Sequence, residues 1–183
     1  IDSLTCVVIA LIAESVIKGG FIVAGIVSAL NLNMIILSGM ILTDTLFLFI
    51  FSLFILLVYR YIKYPNSFKL FLVVSVLCLS VLVRPVSYYL VFLLLPLLIG
   101  FFIWRRMLFK QVVYSLLLYM IPIVIAFGSI HHRNYYEYNS FSLTSQGGGH
   151  ALYWVVPATY QYSGQGSYQE GQALVKDRLK DAM

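Results

Sequence analysis

From Leu70 to Trp104 the chain carries a single charged residue, Arg84, and that stretch decides what solvent the protein is built for. It is longer than the roughly 20 apolar residues that carry a helix across a bilayer, so it divides into two spans, and Pro85 sets the break. Leu70 to Val83 rises only about 21 Å at about 1.5 Å per residue, short of a hydrocarbon core of about 30 Å. Arg84 is therefore expected below the membrane surface, in protein or a wet cavity. The rest of the chain agrees: of 183 residues, 61% are hydrophobic and 10% charged, where a soluble domain is about 45–50% apolar and about 25% charged. The fold class is an all-α polytopic membrane protein. Soluble enzymes, disordered tails and nucleic-acid-binding modules are excluded, because the surplus apolar surface must face lipid.

Other apolar segments fall between charges. Leu4 to Ala13 reads as the end of one span, Gly19 to Thr43 as a second, Thr45 to Tyr59 as a third stretched by Arg60 and Lys63, and Gln111 to Ile130 as the last, kinked at Pro122. Asn31 and Asn33 in the second need partners inside a bundle. Together with the pair around Pro85 this gives about six spans in residues 1–130. Seven of the twelve Lys and Arg (Lys18, Arg60, Lys63, Lys69, Arg105, Arg106, Lys110) then fall on one face. By the positive-inside rule that face is cytoplasmic, and Asp2, Asp44, Arg84 and everything after Ile130 lie on the other. The net charge of +5 thus reports basic loops and says nothing of nucleic acid. Cys6 and Cys78 sit in apolar stretches and form neither a disulfide framework nor a zinc pattern. Ile1 as first residue and a helical pattern still running at Met183 are expected of an internal piece of a longer polypeptide.

At His131 the composition turns polar, aromatic and glycine-rich, so residues 131–183 are expected to begin an extracytoplasmic soluble segment. Ser167 and Glu170 have capping-box spacing, and Leu174, Leu179 and Ala182 between charges read as a short amphipathic surface helix. No repeat of fixed period and no heptad seam is present.

Few residues are placed to carry chemistry. Asp44, in ILTDTLF, reads either as a cap, with Thr43, on the helix beginning near Thr45 or as a carboxylate lining an outward-facing cavity. Arg84 reads as an interfacial anchor or as a planar fork for the phosphate of a lipid substrate. His131, His132 and Arg133 stand where the last span emerges. With His150 the histidines are chemically able to hold a metal, but no HExxH-type spacing supports one. Gly147, Gly148 and Gly149 lack the phosphate-loop pattern and read as a turn. Tyr135, Tyr136, Tyr138 and Phe141 suit an interfacial belt, and Tyr153 and Trp154 suit sugar stacking or a small core. No Ser/His/Asp order, CxxC pair or dinucleotide motif occurs.

Three segments in order, SGMILTDTLFLFIFSLFILLVYRY, VLVRPVSYYLVFLLLPLLIG and RNYYEYNSFSLTSQGGGHALYW, make the chain resemble, from about Gly19 to beyond Trp154, the bacterial family 39 glycosyltransferases. These are GT-C enzymes related to the aminoarabinose and protein O-mannosyl transferases. The resemblance implies a GT-C-like helix bundle that moves a sugar from a polyprenyl-phosphate carrier to a lipid, glycan or protein acceptor on the extracytoplasmic face of the cell membrane, inverting by single displacement. It implies a main base in an outer loop before Ile1, so that this stretch is inactive alone. Asp44 resembles the second outer acidic residue, and Arg84 and Arg133 resemble cavity-facing cations near the carrier phosphate, with His131 and Tyr153 as further substrate-binding residues. No organic cofactor is implied, and a divalent metal is compatible. His150 departs from the family, which often has Asn before the Leu-Tyr pair. The competing expectation is a polytopic transporter or lipid flippase using Asp44 and Arg84 as gating charges. A purely structural subunit, indifferent to replacement of either residue, is the third.

Overall fold

A computed structural model describes residues 1–38, 43–142 and 151–180. Among these the regular structure is all helical: α1 (Asp2–Val16), α2 (Gly20–Ala29), α3 (Leu32–Ser38), α4 (Thr43–Lys63), α5 (Ser67–Val83), a 3-10 turn (Pro85–Ser87), α6 (Tyr88–Trp104) and α7 (Phe109–Tyr138), then a π turn (Ala151–Val155), α8 (Val156–Tyr162) and α9 (Tyr168–Lys180). Among the described residues three helical stretches are long and apolar enough to cross a membrane: Thr43–Lys63, Pro85–Trp104 and Phe109–Tyr138. The chain divides into two units, Ile1–Arg133 and Asn134–Met183.

The expected break at Pro85 is present, and α5 ends at Val83 with Arg84 extended before the 3-10 turn. Proline, lacking an N–H and clashing with the preceding turn, begins the next helix instead of continuing the last. The expected single span from Gly19 to Thr43 is broken. α2 stops at Ala29 and α3 begins at Leu32, because Asn31 turns its side-chain oxygen onto the Met34 amide at 3.3 Å and opens a new helix. Ten residues rise about 15 Å, half of what a hydrocarbon core of about 30 Å requires. The last span is longer than expected. α7 continues past Ile130 to Tyr138 and stops where Asn139 takes a left-handed conformation (φ 49°), which asparagine tolerates better than most residues.

In the first unit the core is centred on α5, whose Leu70, Val73, Val74, Leu77 and Val81 are all buried. One side of α5 is buried in this way, while Leu79 and Leu82 on the other are about half exposed, as expected of an apolar helix that turns its outer face to lipid. Asn66 caps it by accepting from the Phe68 amide at 3.0 Å. α4 packs along α5, and α1 packs on α4 and α2, with the Tyr59 hydroxyl donating to the Ser15 carbonyl. Small residues let α1 and α2 approach: a Cβ on Gly20 would lie 3.0 Å from the Ala13 carbonyl oxygen. α7 is tied to α6 by the buried Tyr119 hydroxyl, which donates to the Val91 carbonyl in the stretch loosened by Pro96. The rings of Tyr88 and Phe127 meet at 5.3 Å further along the same pair.

In the second unit α8 and α9 form a helical hairpin. The capping box closes as its spacing predicts: the Glu170 amide donates to Ser167 Oγ at 3.3 Å, and the Ser167 amide donates to Glu170 Oε2 at 2.8 Å. The amphipathic face differs from the expected one. Leu174 is 44% exposed, whereas Val175 is buried at 5%, and Gly171, Val175 and Leu179, four residues apart, form the inward stripe. Ala182 lies outside the described residues.

Candidate functional site

The site is built at one end of α4, α5, α6 and α7. Antiparallel connection puts the last turns of α4 and α6 and the first turns of α5 and α7 at one end, and the remaining termini at the other. The first of these ends is basic. Lys63 and Lys69 lie over the Tyr64 ring at 5.7 and 5.4 Å, and Arg105 lies over Trp104 at 5.1 Å while donating to the Ile62 carbonyl at 2.9 Å. These contacts stack cations on aromatic faces and bring positive charge to the negative ends of helix dipoles. The grouping of Arg60, Lys63, Lys69, Arg105 and Arg106 at one end, inferred from loop charge, is thus present in the fold.

At the opposite end Asp44 and Arg84 form an ion pair, Arg84 Nη1 donating to Asp44 Oδ1. Asp44 sits in the first turn of α4, where a carboxylate also complements the helix dipole. α4 begins at Thr43, two residues before the start that the sequence suggests. Arg84 is the extended residue after α5. Its side chain is 47% exposed and that of Asp44 27%, so the pair is reachable, and the contact uses one guanidinium nitrogen of a fork that offers several donors.

Below this end, α4 and α6 leave a groove of about 240 Å³ lined by Phe54, Ile55 and Val58 on one side and Leu90, Leu93 and Leu97 on the other. Its walls are hydrocarbon, which suits an acyl or isoprenoid chain and nothing polar.

His131 and Arg133 lie on α7 near the same end of the first unit. His131 Nδ1 is buried without a hydrogen-bond partner. Tyr153 belongs to the second unit, in the π turn, where the residue is 41% exposed and its carbonyl accepts from the Tyr168 hydroxyl at 3.2 Å. Trp154 beside it is 63% exposed, so neither is core there. His150 and the Gly147–Gly149 run lie outside the described residues. Among the described residues no three His, Cys, Asp or Glu side chains gather into a metal site, and both cysteines are free thiols.

Ser87 went unnoticed in the sequence. Only 1% exposed, its hydroxyl is buried without a partner, and a serine after Arg-Pro-Val carries no motif. The pairing of Asp44 with Arg84 did leave a signal. Asp44 lies as far before Tyr64 as Arg84 lies after it, the symmetry of a helical hairpin folded at Tyr64–Asn66.

No family model matches the chain, and no curated protein or solved structure matches it either.

Proposed function

We propose that the chain is the membrane-embedded part of a GT-C-type glycosyltransferase that takes a sugar from a polyprenyl-phosphate carrier on the extracytoplasmic face. The observation that carries this reading is the Asp44–Arg84 ion pair, a reachable carboxylate and guanidinium at the end of the helices away from the basic loops. The apolar groove between α4 and α6 adds a place for the carrier's hydrocarbon.

The chemistry asks for little more. An acceptor hydroxyl or amine attacks the anomeric carbon from the face opposite the carrier, its new bond to carbon forms as the carbon–oxygen bond to phosphate breaks, and the configuration inverts. The proton of the attacking group passes to a carboxylate base. The phosphate departs with the carrier, and the charge building on its oxygen is stabilised by Arg84. Asp44 holds that guanidinium in place through the ion pair.

In membranes containing the complete polypeptide, transfer from labelled polyprenyl-phosphate sugars is expected to fall at least about tenfold in Asp44→Asn and in Arg84→Ala, equivalent to about 1.4 kcal/mol of lost transition-state stabilisation. Near-normal transfer by both variants at normal expression overturns the assignment. Translocation of the carrier lipid by the wild type, with no sugar transferred, makes it a transporter instead.

A further inference from the structure

Between Asp44 and Glu137 the chain has no acidic residue, and six cations of that stretch gather at the end of the first unit opposite the ion pair: Arg60, Lys63, Lys69, Arg105, Arg106 and Lys110. Like charges brought together without carboxylates repel one another unless an anion answers them.

Contacts draw four of the six into one patch. Arg105 Nη2 donates to the Ile62 carbonyl at 2.9 Å, so the connection after α4 and the connection after α6 meet there. Lys63 follows Ile62 directly, and its ammonium lies 5.7 Å from the centre of the Tyr64 ring. The Lys69 ammonium lies 5.4 Å from the same ring and donates to the Tyr64 carbonyl at 3.1 Å. Arg106 is the chain neighbour of Arg105. Among the described residues none of these four has a carboxylate within ion-pairing distance. Glu14, in the last turn of α1, is taken by the Phe21 amide at 3.1 Å. Around the patch Tyr64, Phe68 and Trp104 are exposed, and aromatic rings of that kind favour the headgroup level of a bilayer.

Helix dipoles account for part of this charge. Lys63 and Arg105 stand at the C-terminal ends of α4 and α6, where a cation is favourable. Lys69 does not, because it stands in the first turn of α5, where the dipole is itself positive. Arg106 has a left-handed φ of 50°. Its amide donates to the Ile103 carbonyl at 3.0 Å and the Met107 amide to the Phe102 carbonyl at 3.1 Å, a Schellman ending in which glycine is the usual residue. A cation at the wrong end of a dipole and another in a glycine's place both work against the fold, and both add positive charge to the same patch.

We propose that this patch binds the headgroup phosphate of an anionic phospholipid in the adjoining leaflet. The inference goes beyond the glycosyltransferase reading and does not depend on it. A phosphate diester carries one negative charge shared by two oxygens, and donors remain to meet them. Arg105 spends one guanidinium nitrogen on Ile62 and Lys69 one proton on Tyr64, so each keeps others. A lipid fits better than a free anion because exposed apolar side chains, Ile103 and Phe109 with the three aromatics, flank the cations and give acyl chains a surface beside the headgroup.

The test titrates the complete polypeptide, purified in a neutral detergent, with phosphatidylglycerol or phosphatidylcholine and counts bound lipid by native mass spectrometry. Wild type is expected to bind phosphatidylglycerol at least about tenfold more tightly, since each basic residue near an anionic surface contributes about fivefold. Lys63→Gln with Lys69→Gln is expected to remove most of that preference. Lys176→Gln with Arg178→Gln, an equal loss of charge in the second unit, is expected to leave it within about twofold. Arg106→Gly is expected to weaken phosphatidylglycerol binding at least about threefold with a thermal midpoint no lower than wild type, because glycine accepts the left-handed conformation freely. That variant stands as the test should the lysine pair fail to fold. Equal affinity for the two lipids, equal loss from the two charge pairs, or unchanged binding in Arg106→Gly overturns the proposal. Displacement of the lipid by millimolar inorganic phosphate shows a free-anion site and overturns it as well. Each of these outcomes leaves the glycosyltransferase reading standing.

Discussion

Asp44 and Arg84 meet across the open end of a helical hairpin, each the lone charge of an apolar neighbourhood. Fully exposed ion pairs contribute about 0–1 kcal/mol, and a charge left alone at membrane depth costs about 2.5–3.5 kcal/mol, so this half-exposed pair belongs between those limits. The double-mutant cycle of Asp44→Asn with Arg84→Gln, read by thermal unfolding in detergent, is expected to give a coupling energy of about 1 kcal/mol. Additivity within about 0.3 kcal/mol would show that the two side chains do not support each other. Both charges were legible one at a time, because an ionisable residue in an apolar run is conspicuous. Their contact left a fainter signal, the equal spacing of the two residues about Tyr64, because it depends on where α4 and α5 fold back. Ser87 was hidden more completely: serine is common in apolar helices, where it usually bonds its own backbone, as Ser52 does to the Leu48 carbonyl at 2.7 Å.

For whole elements, what sequence reveals depends on whether the signal is a side chain or the lack of one. Proline at 85 and the Ser167/Glu170 box are side-chain signals, and both operate as expected. The inward stripe of α9 begins with Gly171, which carries no hydrophobicity to read, so the eye settles on the exposed Leu174. Gly171 is there because of proximity. A Cβ on it would lie 2.9 Å from the Pro157 Cα and 3.2 Å from the Tyr160 Cβ, closer than packed helices allow without shifting. Gly171→Val is therefore expected to separate α8 from α9 and lower the protection of Asn134–Met183 against limited proteolysis. Ser167→Ala, which removes one cap acceptor worth about 1 kcal/mol, should cost less. Equal protease resistance in wild type and Gly171→Val would mean that the close approach is not needed. The same blindness concealed the break after α2. Asn31 was read as a polar group in want of a partner, whereas it satisfies itself by starting α3.

At the scale of the molecule, the helices sort charge between their two ends, with stacked cations at one and the ion pair at the other. A single cysteine introduced for Lys69 in a cysteine-free background is expected to react with a membrane-impermeant maleimide only after the inner face is exposed, and one introduced for Val86, 66% exposed, to react in intact cells. The reverse pattern would invert the orientation and place the candidate site in the cytoplasm. Membrane character was plain from composition alone. The number of crossings was not, because an apolar run does not reveal where its backbone stops being helical, and α2 is the case in point. Starting beside Lys18 at the basic end and rising about 15 Å, it is long enough for one leaflet only. Where a helix that short faces lipid, acyl chains adjust to it by shortening, splaying or drawing the headgroups inward. The acyl-chain length of the host membrane is then a variable to which such a protein is sensitive, through a helix that ends halfway.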